Sequence, residues 1–353
     1  MSGTREIRVG QLLSAPGREP MRGPCAVRIS GGRIAAIEDL PADALTPNEA
    51  GGLLMPAIAN AHDHGRGLRT LAFGAADAPL ELWLPLLGRQ PAHDPYTAAA
   101  LALARMARSG ICAANHCHNT QDSDQLLAEA EAVSKAARDV GVRVAFAVPF
   151  QDRNPAVYGD LDRLLAMLDP ADRPAVAARA KTFRSLETNL QLMARMEAFE
   201  HETFTLQYGP VAPQWATHET LSAIAAASAE TGRRVHMHVL ETQWQREWAD
   251  ASYPDGILSF LDDIGLLSSR LTIAHAVWLR PDECELLARR GVTVSVNLSS
   301  NLRLRSGMPP LAAIREAGLD FGIGLDGMSF DDDEDILREL RLVCISSRAI
   351  AMP

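Results

Sequence analysis

From Leu54 to Asp326 the chain alternates eight times between a short apolar run of strand length and a stretch of helical period. That repetition constrains the fold more than any other feature of the sequence. The runs span 53–62, 110–118, 142–150, 204–210, 233–241, 270–276, 292–299 and 319–326. Between them lie amphipathic stretches such as TAAALALARMARSG, DQLLAEAEAVSKAARDVG, HETLSAIAAASAETG, PDECELLARRG and PPLAAIREAG. Several close with glycine, the residue that a helix C-cap favours. Strands joined through helices pair in parallel, and eight such units suit a closed barrel better than an open sheet. The expected fold is therefore α/β, a (β/α)8 TIM barrel over residues 54–353. Residues 1–53 read differently: IRVGQLLS, CAVRIS and GRIAAIEDL are strand-like, with Gly31-Gly32 as a turn, and predict a small β-sandwich accessory domain.

Composition excludes several classes of function. The 353 residues carry 34 basic and 44 acidic side chains, a net charge of −10, with no basic run, so nucleic acid is not an expected partner. No stretch reaches the ~18 consecutive apolar residues of a membrane span, and MSGTREIRVG has no apolar signal region. Cys25, Cys112, Cys117, Cys284 and Cys344 are odd in number and form no CxxC pair, which points to free thiols and a cytoplasmic location. Only two lysines occur, Lys135 and Lys181, against abundant Arg and Ala, a bias of GC-rich bacterial genomes.

Barrel enzymes build their sites at the C-terminal ends of the strands. Seven of the ten histidines fall at such ends; His93, His201 and His218 lie elsewhere. The first run ends in Ala61-His62-Asp63-His64, the second in His116-Cys117-His118, the sixth in His275 and the eighth in Asp326; the fifth carries His236, His238 and Glu241. Residues i and i+2 of a strand point to one side, so His62 and His64 can reach the same ion. His236 and His238 share a face too; His238 is the expected ligand, being nearer the strand end and three residues before Glu241, while His236 lies deeper. Neutral imidazoles with a carboxylate suit Zn2+, and also Fe2+, leaving a position for water. The ion lowers the pKa of its water towards ~7, and nearby carboxylates serve as base and acid.

The run LLMPAIANAHDHGRGL resembles the first-strand signature of the amidohydrolase superfamily, with Ala57 in place of the common glycine. HVLET, IAHAVWL, NLSSNLRLRSG and IGLDG resemble its cytosine deaminase-like and chlorohydrolase-like branch. The resemblance implies His62, His64, His238 and Asp326 as metal ligands. Asp326 would also accept a proton from the bound water, His275 would orient that water or polarise the substrate, and Glu241 would pass the proton to the substrate. Binuclear members carry a bridging lysine at the end of the fourth strand; here that strand ends in Gln207-Tyr208-Gly209-Pro210-Val211, so one divalent metal is expected. Many relatives have Pro-His where this chain has Pro210-Val211.

Trp83, His116, His118 and Gln207 are candidate substrate-binding residues. Trp83 resembles an aromatic that closes over the site, with plain packing as the alternative. His116 and His118 can contact substrate, hold a second ion or form a hydrogen-bonded rim. Relatives continue past the eighth strand and return to the N-terminal unit. A longer natural chain is therefore expected, since residues 1–53 would otherwise leave open sheet edges.

The expected activity is hydrolytic deamination of a small aminated N-heterocycle of pyrimidine, purine, pterin or triazine type by metal-bound hydroxide. The alternatives are a cyclic amide or imide hydrolase or a chlorohydrolase with the same machinery, or a metal-free binding scaffold. The expected partner is a small heterocyclic substrate, with self-association open.

Overall fold

The computed structural model describes residues 3–120, 122–153, 158–179, 183–330 and 332–350. The chain divides into two compact units, Met1–Ile58 and Ala59–Pro353. In the first, β1 (Arg5–Val9), β3 (Cys25–Ser30) and β4 (Arg33–Asp39) form an antiparallel sheet, and β2 (Gln11–Leu12) pairs in parallel with β5 (Leu53–Leu54). Val9, Leu12, Cys25 and Val27 make its core, with Ile7, Ile37 and Leu54 packed against them, so both sheets bury apolar side chains in one place.

The second unit is the expected barrel. Its eight strands are β6 (Ile58–Asp63), β7 (Ile111–Cys117), β8 (Arg143–Phe150), β9 (Phe204–Pro210), β10 (Val235–Val239), β11 (Leu271–His275), β12 (Thr293–Val296) and β13 (Phe321–Ile323), neighbours in that order. The five periodic stretches singled out above are helical, at Pro95–Arg108, Leu126–Val140, His218–Thr231, Pro281–Arg290 and Leu311–Glu316. Gly141, Gly232 and Gly291 cap three of them with φ of 86°, 72° and 69°, values that a residue with a Cβ rarely adopts.

Several expected strands are shorter than read: the run 233–241 keeps Val235–Val239, the run 292–299 keeps Thr293–Val296 with a helix opening at Leu298, and two more change at the ends of the barrel. The run 53–62 is split: Leu53–Leu54 belongs to the small unit and the barrel strand starts at Ile58. Pro56 lies in the break, and proline has no N–H to give a ladder. The run 319–326 keeps only Phe321–Ile323 as strand, and Asp326 lies three residues beyond. There the circle closes through other bonds: the amides of Leu325 and Asp326 both donate to the carbonyl of His62, at 3.1 and 2.9 Å. Gly324 permits this approach, since a Cβ there would lie 2.2 Å from Asn297 Oδ1 and 2.9 Å from the His62 amide.

Candidate active site

The polar side chains expected at the strand ends meet at the mouth of the barrel. One oxygen of Asp326, Oδ1, lies 3.0 Å from both His62 Nε2 and His64 Nε2. The ligand atoms of His62, His64 and His238 lie within 4.8 Å of one another, and so do those of His62, His275 and Asp326. His62 belongs to both sets, so five side chains from four strand ends surround one point.

Each of these imidazoles is aimed by a bond on its far nitrogen. His64 Nδ1 donates to the carbonyl of Cys117 at 2.6 Å, and His238 Nδ1 to that of Val211 at 2.7 Å. His275 Nδ1 faces Asn301 Oδ1 at 2.8 Å. Spending Nδ1 on an oxygen fixes the proton there and leaves Nε2 with a free lone pair turned inward. His62 differs, because its Nδ1 meets His236 Nε2 at 2.6 Å. His236 therefore lies behind His62, as its deeper position in the strand implied.

Burial sets the charge states. It lowers His62 to about 4 and holds His64, His238 and His236 below their usual value, so all four are neutral at pH 7. Burial pushes the Asp326 carboxyl upward, but the close approach of the His62 and His64 imidazoles outweighs it and keeps the group well below the usual carboxylate range. Ser300 Oγ donates to its other oxygen. Burial raises Glu241 to about 7, with the charges of Asp326 and Glu81 adding to the rise and His275 opposing it. Its Oε2 is 3.7 Å from His275 Nε2. Neutral nitrogen donors beside an ionised carboxylate are the donor set that Zn2+ and Fe2+ favour.

The backbone at the mouth is strained. Leu240, His275, Ala276 and Asp326 have φ of 54°, 70°, 50° and 59°, which costs residues with a Cβ of order 1 kcal/mol each. The ladder and the polar network hold them there.

The remaining candidates lie around this centre. His116 Nε2 faces His118 Nδ1 at 3.2 Å, and His118 Nε2 faces Glu129 Oε2 at 2.8 Å, a relay leading away from the ligands. Among the described residues neither histidine belongs to a metal-ligand cluster. The Gly65 turn packs on His116 so closely that a Cβ would lie 2.4 Å from its ring. Trp83 is buried with Ala75, Leu80, Leu304 and Met328, and Arg66 lies over its ring at 5.3 Å. Gln207 is buried in the barrel, its amide nitrogen donating to Asn115 Oδ1 and to the carbonyl of Ala145. Among the described residues no lysine joins this cluster: Lys135 pairs with Asp139 at 2.7 Å on its own helix, and Lys181 lies outside the described residues.

Sequence reasoning passed over four contributors. Asn301 accepts from His275 with Asn297 packed beside the same ring, Ser300 holds Asp326, and Asn60 accepts from the amides of Leu325 and His62 at 3.0 and 3.4 Å. The two asparagines and the serine all lie in the NLSSNLRL run, so the density of small polar residues after an apolar strand was the available signal.

A parallel barrel with imidazoles and a carboxylate converging at its mouth defines a class, the metal-dependent barrel hydrolases. The model of the amidohydrolase family matches residues 53–352, and the chain belongs to that family. It is thus a hydrolase of carbon–nitrogen bonds in a metal-dependent family. A 5-methylthioadenosine/S-adenosylhomocysteine deaminase of Archaeoglobus fulgidus is 30% identical over 324 residues, covering 90% of this chain and 70% of its own. A 5'-deoxyadenosine deaminase of Methanothermobacter thermautotrophicus is 28% identical over 325 residues, covering 90% and 68%. Among solved structures, a zinc-bound adenosine deaminase of Xanthomonas campestris superposes with a TM-score of 0.73 at 23% identity, over 98% of this chain and 74% of its own. A zinc-bound atrazine chlorohydrolase of Arthrobacter aurescens gives 0.76 at 20%, over 98% and 77%. The two deaminases at 28–30% identity agree with the expected hydrolytic deaminase of an aminated heterocycle, and the two solved structures with its fold.

Proposed function

We propose that this chain hydrolyses the exocyclic amine of a 6-aminopurine nucleoside, releasing ammonia. The observation that carries the reading is the pair of carboxyls with opposed protonation: Asp326 held ionised and Glu241 raised to about 7 beside His275. Two carboxyls pushed apart in this way are a base and an acid. The purine nucleoside comes from the names of the relatives at 28–30% identity.

In this reading His62, His64, His238 and Asp326 hold one divalent ion, Zn2+ by preference. When bound, such an ion lowers the pKa of a water molecule from about 15.7 towards ~7 and polarises it for attack. The water oxygen bonds to the ring carbon bearing the amine, and Asp326 takes the water's proton. Glu241 gives its proton to the adjacent ring nitrogen. His275, fixed through Asn301, keeps the attacking oxygen aligned. The carbon–nitrogen bond then breaks, the amine leaves as ammonia with the proton from Asp326, and the remaining hydroxyl proton returns to Glu241. The oxopurine tautomer is left, and both carboxyls regain their starting states.

The test is ammonia release from zinc-loaded protein given adenosine, 5'-deoxyadenosine, 5'-methylthioadenosine, cytosine and melamine. Turnover of the adenine nucleosides above the other two is the expected result. Ammonia from cytosine or melamine alone would move the substrate class. Ring opening or chloride loss without ammonia from any amine would replace deamination itself.

A further inference from the structure

The barrel interior beneath the ligands holds a hydrogen-bonded chain that the proposed reaction does not use. It starts at the carbonyl of Ala145 in β8, which accepts from Gln207 Nε2 at 2.9 Å. The same nitrogen donates to Asn115 Oδ1 on β7. Asn115 Nδ2 meets His236 Nδ1 at 2.8 Å, and His236 Nε2 meets His62 Nδ1 at 2.6 Å. Asn115 to His236 thus spans β7 to β10, and His236 to His62 spans β10 to β6, across the inside of the barrel. Gln207, His236 and His62 are at most 3% exposed.

The two amides of the chain have one orientation. A backbone carbonyl can only accept, so Gln207 presents its nitrogen and Asn115 answers with its oxygen. Asn115 then turns its Nδ2 towards His236 Nδ1, and His236 Nε2 abuts His62 Nδ1, leaving His62 Nε2 turned towards Asp326. Every amide orientation follows from the Ala145 carbonyl. Such a chain fixes both the rotation of the His62 ring and the nitrogen it turns toward Asp326. His62 is also the residue shared by the two sets of converging ligand atoms.

We propose that Asn115 and Gln207 are positioning residues for metal binding, acting through His236 on the ring of His62. This rests on the metal-site assignment but not on the identity of the substrate. Partners of metal-bound histidines typically set affinity by about 10–100-fold. Gln207→Met keeps the volume and removes the donor; Asn115→Ala breaks the next link and leaves room for water. Val294→Ala serves as control, because it truncates a fully buried strand residue outside the chain.

Zinc affinity of the whole protein, measured by chelator competition, should fall at least tenfold in Gln207→Met and Asn115→Ala. It should stay within about threefold in Val294→Ala, even where that variant melts lower. The visible spectrum of the cobalt-loaded protein should change in the first two variants only. Zinc affinity within threefold in both chain variants, an equal loss in the control, or failure of both chain variants to fold would each overturn the proposal. Because no substrate enters the assay, failure of the deaminase reading leaves this result intact.

Discussion

Single residues carry the chemistry, and Glu241 has the most exposed consequences. Its carboxyl is raised from an ordinary 4.5 to about 7 in the fold, so the folded state prefers it protonated. Stability from this group is complete below pH 4.5 and is lost as pH rises through 7, at which point ionised Glu241 costs roughly 3 kcal/mol. Metal-free Glu241→Gln should therefore melt several degrees above the parent at pH 8, with the gap shrinking towards pH 5. A gap independent of pH in calorimetry would mean the carboxyl is not perturbed as described. The same variant should lose at least a hundredfold in kcat, as should Asp326→Asn, since each removes one acid–base partner. In the parent, kcat should decline as pH rises above about 7, where the acid form of Glu241 disappears; a flat profile from pH 6 to 9 would assign the proton to another group. His62, His64, His238 and Asp326 were legible because two-residue spacing and strand-end placement both show in a linear sequence. The partners that aim them were not legible. Depth along a strand depends on the register of its neighbours, and only that register puts His236 behind His62 and Asn301 beside His275.

At the scale of elements, the join between the first and last barrel strands is where fold and site become one structure. β13 ends at Ile323, and from there the connection to β6 runs through the amides of Leu325 and Asp326, the His62 carbonyl and the side chain of Asn60. Asn60 also donates to Asp63 Oδ2 at 2.9 Å, and Asp63 in turn accepts from the amides of Gly65 and Gly327. One clasp thus holds the loop of His64 and the loop of Asp326. Asn60→Leu leaves buried donors and acceptors without partners, at a cost of about 2–4 kcal/mol. Equilibrium unfolding should show that loss together with weaker zinc binding; a change below about 0.5 kcal/mol would remove the clasp from the account. Gly324→Ala should be at least as damaging, because the new methyl meets Asn297, Ser295 and the His62 backbone. Helices with strong apolar periodicity and glycine caps were readable in the sequence. The last strand was overread because apolar residues continue through Leu325 while the backbone has already left the ladder to deliver Asp326.

For the molecule as a whole, folding and metal binding are linked. Three neutral imidazoles and an ionised carboxylate packed at one point are fully formed only in the folded state, so an ion bound there stabilises that state by mass action. Removing it with a chelator should lower Tm, and adding back zinc should restore it in proportion to the logarithm of free metal. An unchanged Tm would separate the ion from the fold. The eightfold alternation made the barrel legible from sequence, and the small N-terminal unit followed from its change of period. Among the described residues, no helix is long and apolar enough to cross a membrane. The most direct measurement of the central claim is anomalous diffraction at the zinc edge from crystals of the zinc-loaded protein. One peak within bonding distance of His62, His64, His238 and Asp326 is the predicted result, and a map without a peak among those four side chains would contradict it.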